Sequence, residues 1–515
     1  MRKVSCFDWP ALGVSLALAA IVAGCASLPA PQGREPSIAM PDTADTRLGR
    51  AVIPAVAANP GKSGIYAIPD PRDAFAARVL LAAAAERSLD AQYYLWHGDQ
   101  VGYLLFEALW QAAQRGVRVR LLLDDLNTGG LDATIATLAA QPNIEVRLYN
   151  PLVPRGARAL SFLTDFARVN RRMHNKSFTA DNQAAIVGGR NIGNEYFAAG
   201  AGLAYADLDV LATGPVVRAI SAEFDLYWNS ASAYAARDLV GPGAPNGVAQ
   251  LRDKLDSVHA DPESVAYLDA VRATPIVRQL LDRALQVEWT TARVVYDDPG
   301  KTREQAGLML LPQLVAMMGP SEHALDLVSP YFVPGDGGTA ALVAAAARGV
   351  KVRILTNSLA STDAPIVHAG YGKRRRDLLR AGIVLYEMKP TAQRNARDVD
   401  TGSHGASGLH AKTFAVDRGR IFVGSFNLDQ RSAHLNTEMG VIIDDPALAT
   451  RLAAAFDSVV SRIAYEVQLS PDGINLVWIE QTPSGVTRYD VEPDTSWFLR
   501  SRVDMLSILS IDWLL

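Results

Sequence analysis

Cysteine is nearly absent. The 515-residue chain holds two, Cys6 and Cys25, both near its start. The folded body beyond them therefore has no disulfide and no cysteine-ligated metal or cluster to lean on. Histidine is also scarce, at eight residues. Six of the eight, His97, His259, His323, His368, His404 and His434, show no metal-ligand spacing. The uncharged apolar run at 11–23 has only 13 residues, too few for a membrane span and suited to a signal-peptide core. Neither sign of charge dominates, with a formal net charge of −4. That argues against a surface built throughout for nucleic acid. With 49% hydrophobic and 20% charged residues, the composition excludes a disordered chain and fits sizeable packed cores.

The chain opens on Met1-Arg2-Lys3, and the apolar run ends in Val22-Ala23-Gly24-Cys25. Small residues before a cysteine resemble a bacterial lipobox. The expectation is a signal peptide over 1–24 and lipidation of Cys25, anchored by about 0.8 kcal/mol per buried methylene. Ser27, where an Asp would mark inner-membrane retention, points to the outer membrane of a bacterial envelope, on its periplasmic side. Residues 25–63 are rich in Ala, Pro and Gly and read as a tether.

Past the tether the chain repeats itself. A strand pattern at 88–95, a helical pattern at 101–115 and a buried strand at 115–123 return as 324–331, an Ala-rich helix to 348, and 348–355. Asp326 follows Asp90 by 236 residues, Arg348 follows Arg115 by 233, and His410 follows His174 by 236. So long a period is a duplicated domain. The pattern predicts an α/β fold of two pseudo-symmetric lobes, each a mostly parallel mixed sheet flanked by helices. The lobes are placed at 64–235 and 301–515, joined by a helical linker at 236–300.

Each copy carries His-x-Lys-x4-Asp: His174, Lys176, Asp181 and His410, Lys412, Asp417. On a strand, His and Lys two apart share a face, whereas Asp, an odd step beyond, suits a turn or structural role. A second strand then runs into two small residues and an Asn: Gly188, Gly189, Asn191 and Gly424, Ser425, Asn427. Small residues permit close approach, and the Asn amide can donate to an oxyanion. His to Asn is 17 residues in both copies. Two such sets facing one pocket at the lobe interface suit a phosphodiester. Two Lys and two Asn would hold the oxygens, one His would attack phosphorus, and the other would protonate the leaving alkoxide. Lysines supply the charge, so neither metal nor other cofactor is required. Each His also needs an acceptor on its second ring nitrogen. Asp207 and Glu438 stand at matching places, each eight residues before a Pro, with Asp209 as a competitor.

The paired motif resembles the phospholipase D superfamily, most of all bacterial cardiolipin synthases of the C type. The resemblance runs over about 66–515 and includes 89–96, 115–125, 171–176, 355–360, 367–371, 424–432, 436–440 and 512–515. It implies transfer of a phosphatidyl group to phosphatidylglycerol, from phosphatidylglycerol or phosphatidylethanolamine. In the family the first-lobe histidine is often assigned as the nucleophile. The implied partners are phospholipids and a membrane surface, with no nucleic acid; no oligomeric state follows. Competing readings are a phospholipase D hydrolase, a metal-independent nuclease and a catalytically silent envelope protein. For membrane contact the candidates are an amphipathic C-terminal helix with Leu499, Val503, Leu506 and Trp513 near one face, and the basic run Lys373–Arg376 with Arg380. Arg168, Arg171 and Arg172 are expected near the pocket mouth, and His368 and Tyr371 near substrate.

Overall fold

The computed structural model describes residues 28, 34–200, 204–281, 285–305, 307–390 and 407–508. The signal segment, Cys25, Ser27 and Trp513 lie outside the described residues. Two large sheets form. In the first, the strands lie in the order Glu288–Thr290, Ser63–Ile68, Asp209–Thr213, Ala184–Gly188, Ser177–Ala180, Ser88–Leu95, Arg118–Asn127, Ile144–Tyr149, Ala233–Ala235. The second runs Ala292–Tyr296, Met439–Ile443, Arg420–Gly424, Thr413–Val416, Ala324–Val328, Lys351–Asn357, Val384–Met388, Ala464–Leu469, Leu476–Thr482, Gly485–Tyr489. The α/β expectation holds, but the parallel part is narrower than the pattern suggested. In each sheet three consecutive strands are parallel, and the motif hairpin and flanking strands run antiparallel. Short hairpin connections reverse the chain, whereas only the helical crossovers return it in the same direction.

The duplication extends to buried charge. Arg120 meets Asp90 through two hydrogen bonds (2.7 and 2.8 Å), and Arg353 meets Asp326 the same way (2.6 and 2.9 Å). Each guanidinium also lies 4.8 Å from a phenylalanine ring centre, Phe224 and Phe456. Breaking such a buried pair costs about 3–5 kcal/mol, because the remaining charge stays desolvated.

One core is shared between the lobes. Ile65, Ala185, Val187, Val210 and Ala212 of the first sheet pack in a single cluster with Ala415, Ile421, Val423, Val441 and Ile443 of the second. The strands on either side of Thr291 join the two sheets: Glu288–Thr290 pairs with the first and Ala292–Tyr296 with the second. The segment expected as a linker is helical at Gly247–Ala260, Pro262–Arg272 and Pro275–Leu281. Its Leu251, Leu255, Tyr267, Val271 and Ile276 belong to the first lobe's core.

Part of the expected tether is built in. Residues 47–58 form a helix, and 34–39 lie along the first lobe. Arg120 donates to the Ser37 carbonyl (2.9 Å) and Arg147 to that of Glu35 (2.8 Å). Buried guanidiniums need more acceptors than their own lobe offers, and a segment without periodicity supplies them through its backbone. The C-terminal helix Trp497–Ser507 packs Leu499, Val503 and Leu506 against Leu359 and Ala369. The face expected to meet lipid is therefore the packed one.

Candidate active site

His174 and Lys176 precede the strand Ser177–Ala180, and His410 and Lys412 precede Thr413–Val416. They sit in the approach to the strands rather than on them, where a cross-lobe bridge replaces the ladder. Ser407–Leu409 pairs in parallel with Ala204–Ala206, and Met173 bridges Thr437 in the same sense. His410 N–H thus donates to the Ala206 carbonyl (2.8 Å), and His174 N–H to the Thr437 carbonyl (2.8 Å). The next residue after each of those carbonyls is an acid.

That register crosses the acids between lobes. His174 Nδ1 lies 2.8 Å from Glu438 Oε2, and His410 Nδ1 lies 2.6 Å from Asp207 Oδ2. Asp209, the competitor, is instead held by Arg78 (2.9 Å) and Arg190 (3.4 Å). With Nδ1 engaged by a carboxylate, the lone pair of each neutral ring is left at Nε2. Aromatic rings brace both imidazoles: Tyr94 lies 4.9 Å from His174, Tyr196 and Tyr205 5.0 and 5.3 Å from His410.

The small residues have a packing reason. A Cβ on Gly189 would fall 2.2 Å from Asp207 Oδ1, and one on Gly188 2.1 Å from Asp209 Oδ1. One on Gly424 would strike the Met439 carbonyl at 2.4 Å. Where the first lobe has Gly189 and a short acid, the second has Ser425 and a long one. Ser425 Oγ donates to Glu438 Oε2 (2.5 Å), and Ser432 Oγ to Oε1 (2.9 Å).

The charges of the two motifs act on one another across the lobes. Burial and the charges of Lys176, Lys412 and His410 hold His174 well below its usual value. Burial and Lys412 bring His410 down to about 4. Burial lowers Lys176 to about 7 and Lys412 to about 8, with Asp207 and Glu438 opposing. Burial raises Glu438 to about 7 against Lys176 and its serine donors. Asp207 is also buried, but His410, Lys412 and Arg190 pull it down to about 2. An anion entering beside the two lysines would raise both again. Asn191 and Asn427 are 2% and 4% exposed, and the Oδ1 atom of each has no hydrogen-bond partner among the described residues. An Oδ1 can only accept, so any bond to an oxyanion falls to the NH₂ group of each side chain.

Asp181 and Asp417 stand apart from this chemistry. Asp181 accepts from the N–H groups of Glu86, Arg87 and Ser88, Asp417 from those of Glu322, His323 and Ala324. Each ties its motif hairpin to the start of a central parallel strand of its lobe, Ser88–Leu95 or Ala324–Val328. Arg172 is buried on Asp124 (2.8 Å), while Arg168 pairs with Asp165 and Arg171 with Glu304. His368 and Tyr371, expected near substrate, belong instead to a buried cluster with Arg375 and Glu492. His97, Asp99 and Glu195 bring ligating atoms within 4.8 Å of one another, which their spacing did not announce. Asp99, however, is already engaged by the N–H groups of Gly102 and Asn194.

Three residues escaped the sequence reading. Asp124 Oδ2 accepts from Met173 N–H (2.9 Å), and Asn357 clamps Leu409 through both its N–H and its carbonyl (2.9 Å each). They occupy equivalent places in duplicated strands, Arg118–Asn127 and Lys351–Asn357, each fixing the residue before a histidine. The 233-residue offset between those strands was the available signal. Asn175, between His174 and Lys176, donates to Glu223 (2.6 Å) and accepts from Thr437 Oγ1 (2.9 Å), tying the first motif to the helix Pro215–Trp228 and to the second lobe.

Comparison with known proteins identifies the family. The family model described as "Cardiolipin synthase, PLD-like domain" matches residues 79–228 and 314–460. Cardiolipin synthase C of Escherichia coli is 44% identical over 91% of this chain and 100% of its own length. The major cardiolipin synthase ClsA of Bacillus subtilis is 26% identical over 79% of this chain and 71% of its own. Among solved structures, phosphatidylserine synthase of Haemophilus influenzae superposes with a TM-score of 0.55 at 12% identity, covering 91% of this chain and all of that one. With two matched halves and one relative aligned from end to end, the chain belongs to the phospholipase-D-like family of cardiolipin synthases.

Proposed function

We propose that the protein transfers a phosphatidyl group from one phospholipid to the glycerol hydroxyl of phosphatidylglycerol, giving cardiolipin through a phosphatidyl-histidine intermediate. The observation that carries this reading is the convergence of His174, Lys176, His410 and Lys412 on one site, with each histidine held by the other lobe's acid. The donor is phosphatidylglycerol or phosphatidylethanolamine.

The two carboxylates divide the roles. Asp207 is a firm carboxylate and stabilises an imidazolium at His410 once the substrate anion has entered. Glu438, occupied by two serine hydroxyls and raised by burial, is a weaker counter-ion and leaves His174 neutral. His174 Nε2 therefore attacks phosphorus. The P–O bond to the headgroup breaks, and the departing oxygen takes the proton of His410. In the second step His410 removes the proton of the incoming hydroxyl, the new P–O bond forms, and the P–N bond to His174 breaks. Lys176, Lys412, Asn191 and Asn427 bind the non-bridging oxygens as charge builds. With the headgroup and glycerol backbone of phosphatidylglycerol labelled separately in mixed micelles, cardiolipin and free glycerol are the expected products. Phosphatidic acid in place of cardiolipin would convert the reading to hydrolysis.

Among the described residues no helix is long and apolar enough to cross a membrane. Beyond the anchor proposed at Cys25 in a bacterial envelope, the C-terminal helix offers a second contact. Opposite its packed side, Trp497, Phe498 and Met505 are exposed, with Trp497 at 73% and Phe498 at 72%. Leu160, Leu163 and Phe166 form another exposed apolar set on the segment leading into His174. Aromatic side chains of this kind enter the bilayer interface. Replacing Trp497 and Phe498 together by Ala in unlipidated protein is expected to weaken sedimentation with phosphatidylglycerol vesicles about tenfold or more. Unchanged partitioning would remove this helix from the membrane contact.

A further inference from the structure

At one pair of matched positions the duplication reverses the sign of the charge. Glu195 stands four residues after Asn191, and Arg431 four residues after Asn427. The backbone around them is equivalent: Ile192 bridges Trp96 in the first lobe as Leu428 bridges Phe332 in the second, and a short helical turn follows each Asn. The acid and the base therefore occupy the same place in their lobes.

They flank opposite halves of the site. Tyr196, next to Glu195, lies 5.0 Å from the His410 ring. Tyr205, also on His410, has its hydroxyl 3.5 Å from Asp363 Oδ2, and Tyr331 donates to the same carboxylate at 2.8–2.9 Å. Glu195 Oε1 is 3.2 Å from His97 Nδ1. The His410 side thus presents two partly exposed carboxylates framed by three tyrosines. Arg431, by contrast, donates to Asn170, four residues before His174. Its charge acts on Tyr94, the ring braced against His174, alongside that of Arg172. Asn191, three residues before the turn that carries Glu195, has its buried Oδ1 without a partner among the described residues.

We infer that Glu195 and Asp363 form the headgroup subsite beside His410, selecting small headgroups rich in hydrogen-bond donors and disfavouring anionic ones. The inference rests on the phosphatidyl-transfer reading, which brings both the leaving headgroup and the accepting hydroxyl to the His410 side. The chemistry recognised is a terminal diol or an ammonium group, each able to donate to a carboxylate; a headgroup ending in phosphate would meet two like charges. Arg431, on the far side of the reacting phosphorus, presents the opposite charge toward the phosphate and diacylglycerol half.

The experiment uses the full chain and compares release of headgroup from phosphatidylglycerol, phosphatidylethanolamine and phosphatidylglycerophosphate with cleavage of bis(p-nitrophenyl) phosphate, whose leaving group lacks donors. The readout is the ratio of kcat/KM for each lipid to that for the aryl diester, which cancels general damage to the site. Glu195→Gln and Asp363→Asn are each expected to lower the ratio for the diol or the ammonium lipid about tenfold through KM, the worth of one charge-assisted hydrogen bond. A larger drop for one of the two lipids identifies the preferred source. Glu195→Lys is expected to raise the ratio for phosphatidylglycerophosphate. Unchanged ratios in both neutral variants overturn the subsite and leave transfer standing. A wild type that cleaves the aryl diester but none of the lipids overturns both readings.

Discussion

Replacing His174 by Ala is expected to abolish transfer, with a loss on the order of 10⁵-fold or more, because it removes the nucleophile that forms the covalent bond to phosphorus in the proposed mechanism. His410→Ala should behave differently. It removes a proton donor, worth about 10²–10⁴-fold for an alkoxide leaving group. With p-nitrophenol as leaving group the departing oxygen needs no proton, and His410→Ala should still form the phosphoenzyme. Rapid quenching with a ³²P-labelled diester checks this directly. Label on protein in His410→Ala and none in His174→Ala is the expected pattern. The reverse would hand the nucleophile's role to His410. It would also undo the argument from the two carboxylates, which assigns the proton to the ring facing Asp207.

Much of this site is written in the chain, because the chain writes it twice. The 17-residue step from His to Asn recurs, and recurrence is what lifts a His-x-Lys pair above an ordinary polar strand face. The α/β lobes follow from the strand–helix–strand order seen in both halves. What the sequence does not show is register between lobes. Asp207 and Glu438 are visible as candidate acceptors, but their crossing depends on Ala204–Ala206 lying beside Ser407–Leu409, a pairing between residues some 200 positions apart. Asp124 and Asn357 are hidden for another reason. Each is a polar residue late in a buried strand, and its work is done on a neighbouring segment's backbone. The stretch at 34–39 escapes for the same cause: carbonyls serve Arg120 and Arg147, and carbonyls leave no mark on side-chain pattern.

The crossing makes a prediction that a pair of independent lobes cannot. Asp207→Asn should disturb His410, in the other half of the chain, and leave the His174 tautomer unchanged; Glu438→Gln should do the opposite. In each case an amide can turn its NH₂ toward Nδ1, which moves the ring proton to Nε2 and removes the lone pair that reacts. Losses in kcat on the order of 10³–10⁴-fold are expected from such a tautomer change. Nitrogen NMR of ¹⁵N-labelled histidine reads the tautomers directly. If Asp207→Asn altered His174 and spared His410, each acid would be serving its own lobe, and the 2.6 and 2.8 Å contacts would not describe the working enzyme. The expected result has a structural consequence. A lobe holds its own lysine and asparagine but borrows the acid that sets its histidine. It also borrows the carbonyl that anchors the histidine's N–H. On the proposed mechanism catalytic competence belongs to the interface, where the shared core of Val187, Val210, Val423 and Val441 packs the two sheets together.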